Sequence, residues 1–132
     1  MALRGVGIDV ADLSRISALV GSHGDRFTTR WFTAAEIAEC EGAADPAAEY
    51  AGRFAAKEAV WKAIGVEAGA GVPWRSIAVL SAGGGTPVVQ LDGVVAAGAA
   101  RAGVGDITVS WTVTSQVAAA IALAENSVTP TS

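Results

Sequence analysis

A chain of 132 residues, 52% of them hydrophobic, predicts one domain across residues 1–132 with a real core and apolar surface left over for an oligomer interface. The net charge of −4 argues against nucleic acid as the main partner, and the absence of a signal-like or membrane-length apolar run predicts a cytoplasmic protein with no membrane contact. The single Cys40 and the single His23 exclude an internal disulfide and a Cys/His zinc site, so any metal must be held mainly by oxygen ligands.

The first predicted element is a strand over Gly5–Val10, a short apolar run rich in β-branched residues. Strand alternation places Gly7 and Asp9 on the same face. Asp9 has two interpretations: it helps to start the next helix, or it is an acid beside small glycines that leave space for a ligand. Asp12 is better placed to cap the following helix, Leu13–Val20, which favours the second interpretation.

Residues 21–24, Gly-Ser-His-Gly, are predicted to break the chain before a short helix over Asp25–Phe32. His23 in this turn is interpreted as an exposed loop residue rather than a catalyst or ligand. A capping box then follows, in which Thr33 caps an acidic helix and Glu36 reaches back to its first amide. This predicts a structural role for Glu36 that is independent of any chemistry.

The central stretch, residues 51–65, predicts a long helix that is opened by Asp45-Pro46 and ended by Gly65 in a left-handed conformation. One side carries bulky apolar residues, and a second side carries alanines that allow another backbone to approach closely. Such a helix should be largely buried. It nevertheless carries four charges, at Arg53, Lys57, Glu58 and Lys62. These are either ordinary solvated i,i+4 pairs, or charges that meet an ion, a ligand or each other in a buried place.

The second half of the chain is predicted to be rich in strands. The expected elements are a strand over Trp74–Ser81, a strand over Val88–Leu91, a helix over Gly93–Ala102, and strands over Ile107–Val113 and Val117–Leu123, with a polar tail from Glu125. The first two strands form a hairpin around residues 82–87, whose glycine amides mark either a simple turn or a phosphate-binding patch. The last strand is apolar on both faces, so each face needs to be covered. Helices of the same chain cover one face, and the other is covered either by the same chain or by a neighbouring subunit.

The order and spacing of three motifs resemble the AcpS type of 4′-phosphopantetheinyl transferase, the holo-acyl-carrier-protein synthases. The motifs are Gly5-Val6-Gly7-Ile8-Asp9, Arg30-Trp31-Phe32-Thr33-x-x-Glu36 and Arg53-Phe54-Ala55-Ala56-Lys57-Glu58-Ala59-x-x-Lys62. The resemblance spans nearly the whole chain and is strongest through residue 65. It implies an α/β (α+β) fold in which an antiparallel sheet packs against a long central helix. It also implies a homotrimer with coenzyme A bound between neighbouring subunits.

The family moves the 4′-phosphopantetheine arm of coenzyme A to a serine of an apo acyl carrier protein and releases adenosine 3′,5′-bisphosphate. By resemblance, Asp9 and Glu58 match the ligands of a magnesium ion, and Arg53 and Lys62 match basic residues near the phosphates. Glu58 and Lys62 are thus the candidate catalytic residues, and either Glu58 or a metal-bound water would take the serine proton.

The resemblance implies two further contact surfaces. Coenzyme A contacts are expected at Gly85, Thr86, Pro87 and Ser110. The acidic helix of the carrier protein is expected to dock on the arginine-bearing first helix, at Arg15, with Arg26 and Arg30 nearby.

Two positions depart from the family pattern. Thr86 stands where the family has a basic residue, and residues 108–113 read Thr-Val-Ser-Trp-Thr-Val where the family reads His-Val-Ser-x-Ser-His. Each lost charge-assisted contact costs roughly 1.5–3 kcal/mol. The sequence therefore leaves two hypotheses: a magnesium-dependent phosphopantetheinyl transferase, or an AcpS-like trimer that lacks this activity and serves as a carrier-protein-binding partner or repurposed enzyme of a fatty-acid or polyketide-type pathway.

Overall fold

A computed structural model describes residues 2–66, 71–81 and 85–128. Its elements follow one another as β1 (Leu3–Asp12), α1 (Leu13–His23), α2 (Asp25–Trp31), α3 (Ala34–Glu41), α4 (Pro46–Ile64), a 3-10 turn (Trp74–Ser76), β2 (Ile77–Leu80), β3 (Val88–Leu91), α5 (Gly93–Arg101), β4 (Val104–Val113) and β5 (Val117–Asn126).

The strands form two antiparallel sheets. The larger sheet has the order β1-β5-β4, and the smaller one is the hairpin of β2 and β3. Helix α4 packs across β1, β5 and β4. It buries a row of small residues on β5: Ala118, Ala120, Ala122 and Ala124. The predicted fold class, an antiparallel sheet packed against a long central helix, is therefore confirmed.

Helix α4 is the predicted central helix. Asp45 accepts a hydrogen bond from the Ala48 amide at 3.3 Å, Pro46 occupies the first turn, and Gly65 ends the helix with φ of 74°. Twelve of its 19 residues are buried. The prediction of a largely buried helix that begins at Asp45-Pro46 and ends at Gly65 is confirmed.

Strand β1 lies in direct backbone contact with α4. A Cβ atom added to Gly7 would lie 1.9 Å from the Ala59 carbonyl oxygen, and one added to Gly5 would lie 2.1 Å from that of Ala63. Only glycine permits this approach. The idea that these glycines leave space for a ligand beside Asp9 is wrong, because the backbone of α4 fills that space.

Two predicted boundaries and one predicted helix cap are also wrong. Helix α1 continues through residues 21–23 and stops only at Gly24, with φ of 50°, so His23 is an exposed helix end and not a loop residue. Asp12 precedes that helix without a side-chain cap; instead its carboxylate accepts from the Ser14 hydroxyl at 3.3 Å. Residues 74–76 form a 3-10 turn and not the start of a strand.

Strand β5 runs on to Asn126, into the predicted polar tail, because it has partners on both sides. Leu3 of β1 pairs with Glu125, and Val104 of β4 pairs with Asn126. A central strand satisfies its backbone groups along its whole length when both neighbours are equally long. Of the predicted glycine turn, residues 82–84 lie outside the described residues.

The face of the larger sheet that points away from α4, here called the outer face, is exposed and apolar. Its large exposed side chains include Val6, Ile8, Val10, Ile121 and Leu123. Strand β4 continues this face with the hydroxyl side chains of Thr108, Ser110 and Thr112. Within the described parts of the chain, no helix is both long and apolar enough to span a membrane.

Candidate functional site

The candidate site is a carboxylate cluster of Asp9, Glu58 and Lys62, where β1 meets α4. Strand alternation turns Asp9 toward the helix, where it is 9% exposed. The Lys62 ammonium group donates to Asp9 Oδ1 and to the Ile8 carbonyl oxygen, both at 3.0 Å. About half of the Lys62 side chain stays exposed, so its charge also faces solvent. The structure thus brings Asp9 together with Glu58 and Lys62, which lie about 50 positions further along the sequence.

Glu58 is strongly perturbed in this cluster. Burial, together with the hydrogen-bonding contact and negative charge of the nearby Asp9 carboxylate, raises its pKa from 4.5 to about 7, although the charges of Lys62 and Arg15 oppose the shift. Two carboxylates in close contact resist ionising together unless a cation joins them. The cluster therefore holds a proton easily, or binds a cation in its place.

One oxygen of the cluster lacks a partner. Asp9 Oδ2 is buried and accepts no hydrogen bond within the described part of the chain. The same residues contain no group of three or more His, Cys, Asp or Glu side chains that could enclose a metal. Magnesium commonly takes only one or two carboxylates and completes its octahedron with water and substrate phosphate. Asp9 and Glu58 fit such an ion, and they do not fit a closed protein cage.

A second group of charges on α4, here called the buried charge network, contains Arg53. The guanidinium donates to the Val79 carbonyl at 3.1 Å and to Glu49 at 2.6 Å, and also pairs with Glu39. The residue is 1% exposed. Nine residues separate Arg53 from Lys62, which is roughly 13 Å along the helix and half a turn around it. The structure thus places Arg53 away from the carboxylate cluster, with its donors engaged inside the chain.

The same network holds a fully buried ion pair. Lys57 donates to Glu36 Oε1 at 2.7 Å, and both side chains are 0% exposed. Glu36 also accepts from the Thr33 amide at 2.9 Å and from the Val79 amide at 3.0 Å. Burial lowers the pKa of Lys57, although the Glu36 carboxylate opposes that shift. The predicted capping box is confirmed, and the same carboxylate additionally joins α3, α4 and β2.

The remaining predicted coenzyme A contacts lie elsewhere. Gly85 and Thr86 are exposed between β2 and β3, and Pro87 beside them is half-buried. Ser110 is exposed on the outer face, where it is in register with Ile121, whereas Asp9 points to the opposite face of the same sheet. Within one chain, Ser110 and the carboxylate cluster are therefore on different sides of the sheet.

Two of the predicted docking arginines line a large cleft that the sequence did not reveal. This arginine cleft, of about 880 Å³, lies between α2 and the 3-10 turn. Its main polar and aromatic lining residues are His23, Arg26, Arg30, Trp31, Trp74 and Arg75. Arg75 was missed because residues 74–81 were interpreted as a strand, which gave no reason to place Arg75 beside α2. Arg15 lies outside the lining, with its guanidinium 5.8 Å from the Phe54 ring centre.

Comparison with known proteins identifies the family. The model of the 4′-phosphopantetheinyl transferase superfamily matches residues 5–122. The chain belongs to this superfamily. The holo-[acyl-carrier-protein] synthase of Solibacter usitatus is 40% identical over 122 residues, which are 92% of this chain and 98% of that relative.

Solved structures agree with this assignment. The AcpS crystal structure from Neisseria meningitidis matches with a TM-score of 0.83 and 29% identity, over 94% of this chain and 99% of that one. An AcpS–coenzyme A complex from Chronobacterium ammoniagenes matches with a TM-score of 0.80 and 26% identity, over 96% and 98%. The AcpS-type resemblance is confirmed, and the chain is an enzyme of the phosphopantetheinyl transferase type.

Proposed function

We propose that this enzyme transfers the 4′-phosphopantetheine arm of coenzyme A to a serine of an apo acyl carrier protein, with magnesium held by Asp9 and Glu58. The released product is adenosine 3′,5′-bisphosphate. The observation that carries the proposal is the carboxylate cluster, where a buried Asp9 oxygen has no partner in the described chain and a half-exposed Lys62 stands beside it. An acidic pair next to a half-exposed ammonium group suits a cation and a phosphate group together.

The chain's own residues divide the work of the transfer. Bound magnesium would neutralise negative charge on the pyrophosphate of coenzyme A. Lys62 is held in place by Asp9 and the Ile8 carbonyl, and its exposed ammonium can donate to a phosphate oxygen. Fixed positive charge at that point stabilises the negative charge that builds up on the departing bisphosphate.

The proton of the serine hydroxyl also needs an acceptor. As the serine oxygen forms its bond to phosphorus, the bond between that phosphorus and the bisphosphate oxygen breaks, and the serine proton must leave. Glu58 would be ionised while it holds magnesium, and a carboxylate oxygen left free by the metal could take this proton. We propose Glu58 as the acceptor, directly or through a water molecule.

The nucleotide end of the site is proposed to lie between subunits. Ser110 is on the outer face, opposite to the carboxylate cluster, so it can approach the same coenzyme A only from another chain. Contacts of Gly85, Thr86, Pro87 and Arg53 with coenzyme A stay predictions. For such a contact, the Arg53 guanidinium would have to break its hydrogen bond to Glu39 or to Glu49 and donate to coenzyme A instead.

A homotrimer is proposed on the strength of the outer face. Exposed apolar side chains run across two neighbouring strands there, with Ile8 61% exposed and Ile121, its register partner, 43% exposed. Contiguous apolar surface of this kind typically marks an interface. Light scattering should give three times the 13.2 kDa of one chain. A mass equal to one chain would contradict the trimer. It would also contradict the proposed contact of Ser110 with coenzyme A bound to a neighbouring subunit.

The carrier protein is proposed to bind near Arg15, Arg26 and Arg30, all of which are exposed. A cytoplasmic location and a single domain over residues 1–132 stay predictions, which cell fractionation and limited proteolysis can test.

The decisive experiment is transfer itself. The protein is incubated with coenzyme A, magnesium and a panel of apo acyl carrier proteins, and intact-mass spectrometry follows each carrier. We expect one or more carriers to gain the mass of phosphopantetheine, and to stay unmodified when magnesium is chelated. If carriers bind but none is modified, the alternative of an AcpS-like partner protein without transferase activity replaces this proposal.

A further inference from the structure

The arginine cleft carries positive charge on two opposed walls. Helix α2 supplies Arg26 and Arg30, and the 3-10 turn ahead of β2 supplies Arg75. All three side chains are exposed, and within the described residues none of them forms a salt bridge. No acidic side chain is among the described residues that line the cleft. Three fixed positive charges therefore face a common space in a protein whose net charge is −4.

Aromatic side chains connect the two walls and set their spacing. Trp31 of α2 stacks on Trp74 of the 3-10 turn, with ring centres 4.5 Å apart and planes inclined by 15°. Trp31 also lies 4.4 Å from the ring centre of Phe54 on α4. Such contacts hold Arg75 at a defined position relative to Arg30. The cleft thus combines an apolar floor with a cationic rim on both sides.

The cleft also leads toward the carboxylate cluster. From Trp31 the aromatic contacts continue to Phe54, and the Arg15 guanidinium lies 5.8 Å from that ring. Phe54 lies one turn before Glu58 on α4, so the two residues are neighbours on the same face of the helix. A protein segment bound in the cleft would therefore lie on the same side of the chain as the group that we propose to take the serine proton.

This shape and charge fit an amphipathic helix with an apolar ridge and carboxylates on both flanks. Guanidinium groups bind carboxylates in a bidentate way, and charged groups at the rim of an interface chiefly select the partner and its orientation. A helix with acidic residues on only one flank would leave one wall unpaired. Arg75 is the only arginine among the described lining residues that lies on the wall opposite α2.

We propose that Arg75 is a specificity-determining residue for the carrier protein, pairing with an acidic side chain on the flank opposite to the one that Arg26 and Arg30 bind. The inference rests on the proposed function, since it takes the carrier protein as the occupant of the cleft. It adds a recognition residue on a second wall to the arginines of the first two helices.

The test compares two charge reversals, Arg75→Glu and Arg101→Glu. Arg101 is likewise an exposed arginine, but it lies at the end of α5 and outside the lining of the cleft. The dissociation constant of a fluorescently labelled apo acyl carrier protein is measured by anisotropy without coenzyme A, and KM values follow from the transfer assay. Arg75→Glu should raise the dissociation constant and the carrier KM about tenfold or more, as expected for a lost charge-assisted contact.

Two further readouts separate recognition from a general structural effect. The KM for coenzyme A should stay unchanged in Arg75→Glu, and Arg75→Lys should recover most of the carrier affinity. Equal effects of Arg75→Glu and Arg101→Glu would overturn the role of Arg75, as would a wild-type protein that binds none of the carriers. A wild-type protein that binds a carrier without modifying it would contradict the transfer reaction alone, because the anisotropy comparison still decides the role of Arg75.

Discussion

Helix α4 presents two groups of charges that differ in how completely they are paired. In the buried charge network, Glu36 and Lys57 are 0% exposed and each carboxylate oxygen of Glu36 has a donor. In the carboxylate cluster, Lys62 is half exposed and one Asp9 oxygen has no partner in the described chain. Charged groups whose hydrogen bonds are all made within the chain have no free donor or acceptor for a ligand, whereas an unpartnered carboxylate oxygen can still bind one. The same helix therefore carries a structural group of charges and the candidate reactive group on different sides.

The largest expected effect is on catalysis by the carboxylate cluster. Glu58→Gln removes a proposed magnesium ligand and proton acceptor, so the transfer rate should fall by about 10²–10⁴-fold while the fold is retained. Intact-mass measurements of carrier modification over time give the rate.

The matched control is Glu49→Gln, the same change on the same helix, at a residue of the buried charge network whose side chain is 41% exposed. It should leave the rate close to that of the wild type. Undiminished transfer by Glu58→Gln, or an equal loss in both variants, would remove the distinction between the two groups.

The next largest effect is on stability and concerns the buried pair. Lys57→Met leaves the Glu36 carboxylate buried without its counter-charge, which should cost about 3–5 kcal/mol of unfolding free energy. Urea denaturation at one fixed protein concentration measures it.

Lys62→Met is the control, because it makes the same substitution in the half-exposed lysine of the same helix. It should cost less unfolding free energy than Lys57→Met, about 1–3 kcal/mol for the donor lost by the buried Asp9, yet slow the transfer reaction. If both variants lose the same stability, the buried network contributes no more than a surface ion pair.

A smaller effect is expected where β1 touches α4. Gly7→Ala inserts a methyl group at a point 1.9 Å from the Ala59 carbonyl oxygen, so helix and strand must separate. We expect a loss of about 1–3 kcal/mol in unfolding free energy, together with slower transfer because Asp9 moves relative to Lys62. Gly21→Ala, in the exposed part of α1 with no neighbouring atom within 4 Å, should stabilise the protein instead. Equal signs for the two variants would contradict the close contact.

The smallest expected effect is the pH dependence caused by Glu58. Its pKa of about 7 in the folded protein exceeds the usual 4.5, so the protonated form is favoured by folding. The stability that this proton provides is full below pH 4.5 and is lost as the pH rises toward 7. Relative to Glu58→Gln, the metal-free wild type should therefore lose on the order of a few degrees of Tm between pH 5 and pH 8.

Added magnesium should reverse that loss at pH 8, since it binds the ionised pair. Parallel Tm curves of wild type and Glu58→Gln across this pH range would show that Glu58 ionises normally, and the contrast between the two groups would then rest on exposure alone.

Local patterns predicted the parts of the molecule that depend on neighbours in sequence. The capping box of Thr33 and Glu36 and the two ends of α4 follow from short-range chemistry, and each is found as expected. The resemblance also singled out Asp9, Glu58 and Lys62, which the fold brings together. The second role of Glu36, as partner of Lys57 and Val79, was not predictable because those contacts span 21 and 43 residues.

The errors arose where tertiary contacts decide local structure. Trp74 stacks on Trp31 from a 3-10 turn, although residues 74–81 were predicted to form a strand. Glycine at positions 5 and 7 was interpreted as open space, since a sequence does not reveal that a helix backbone fills it. The arginine cleft joins α2 to a segment more than 40 residues away, and no local pattern signals that proximity.

Ile8 belongs both to the outer face, the proposed subunit interface, and to the surroundings of Lys62. Its side chain is 61% exposed on the outer face, and its carbonyl oxygen accepts a hydrogen bond from Lys62. In a trimer built on that face, packing of the Ile8 side chain would also immobilise the carbonyl that accepts from Lys62, the proposed catalytic lysine. Activity per chain would then depend on protein concentration, and dilution below the dissociation constant of the trimer would inactivate the enzyme by mass action before any subunit unfolds.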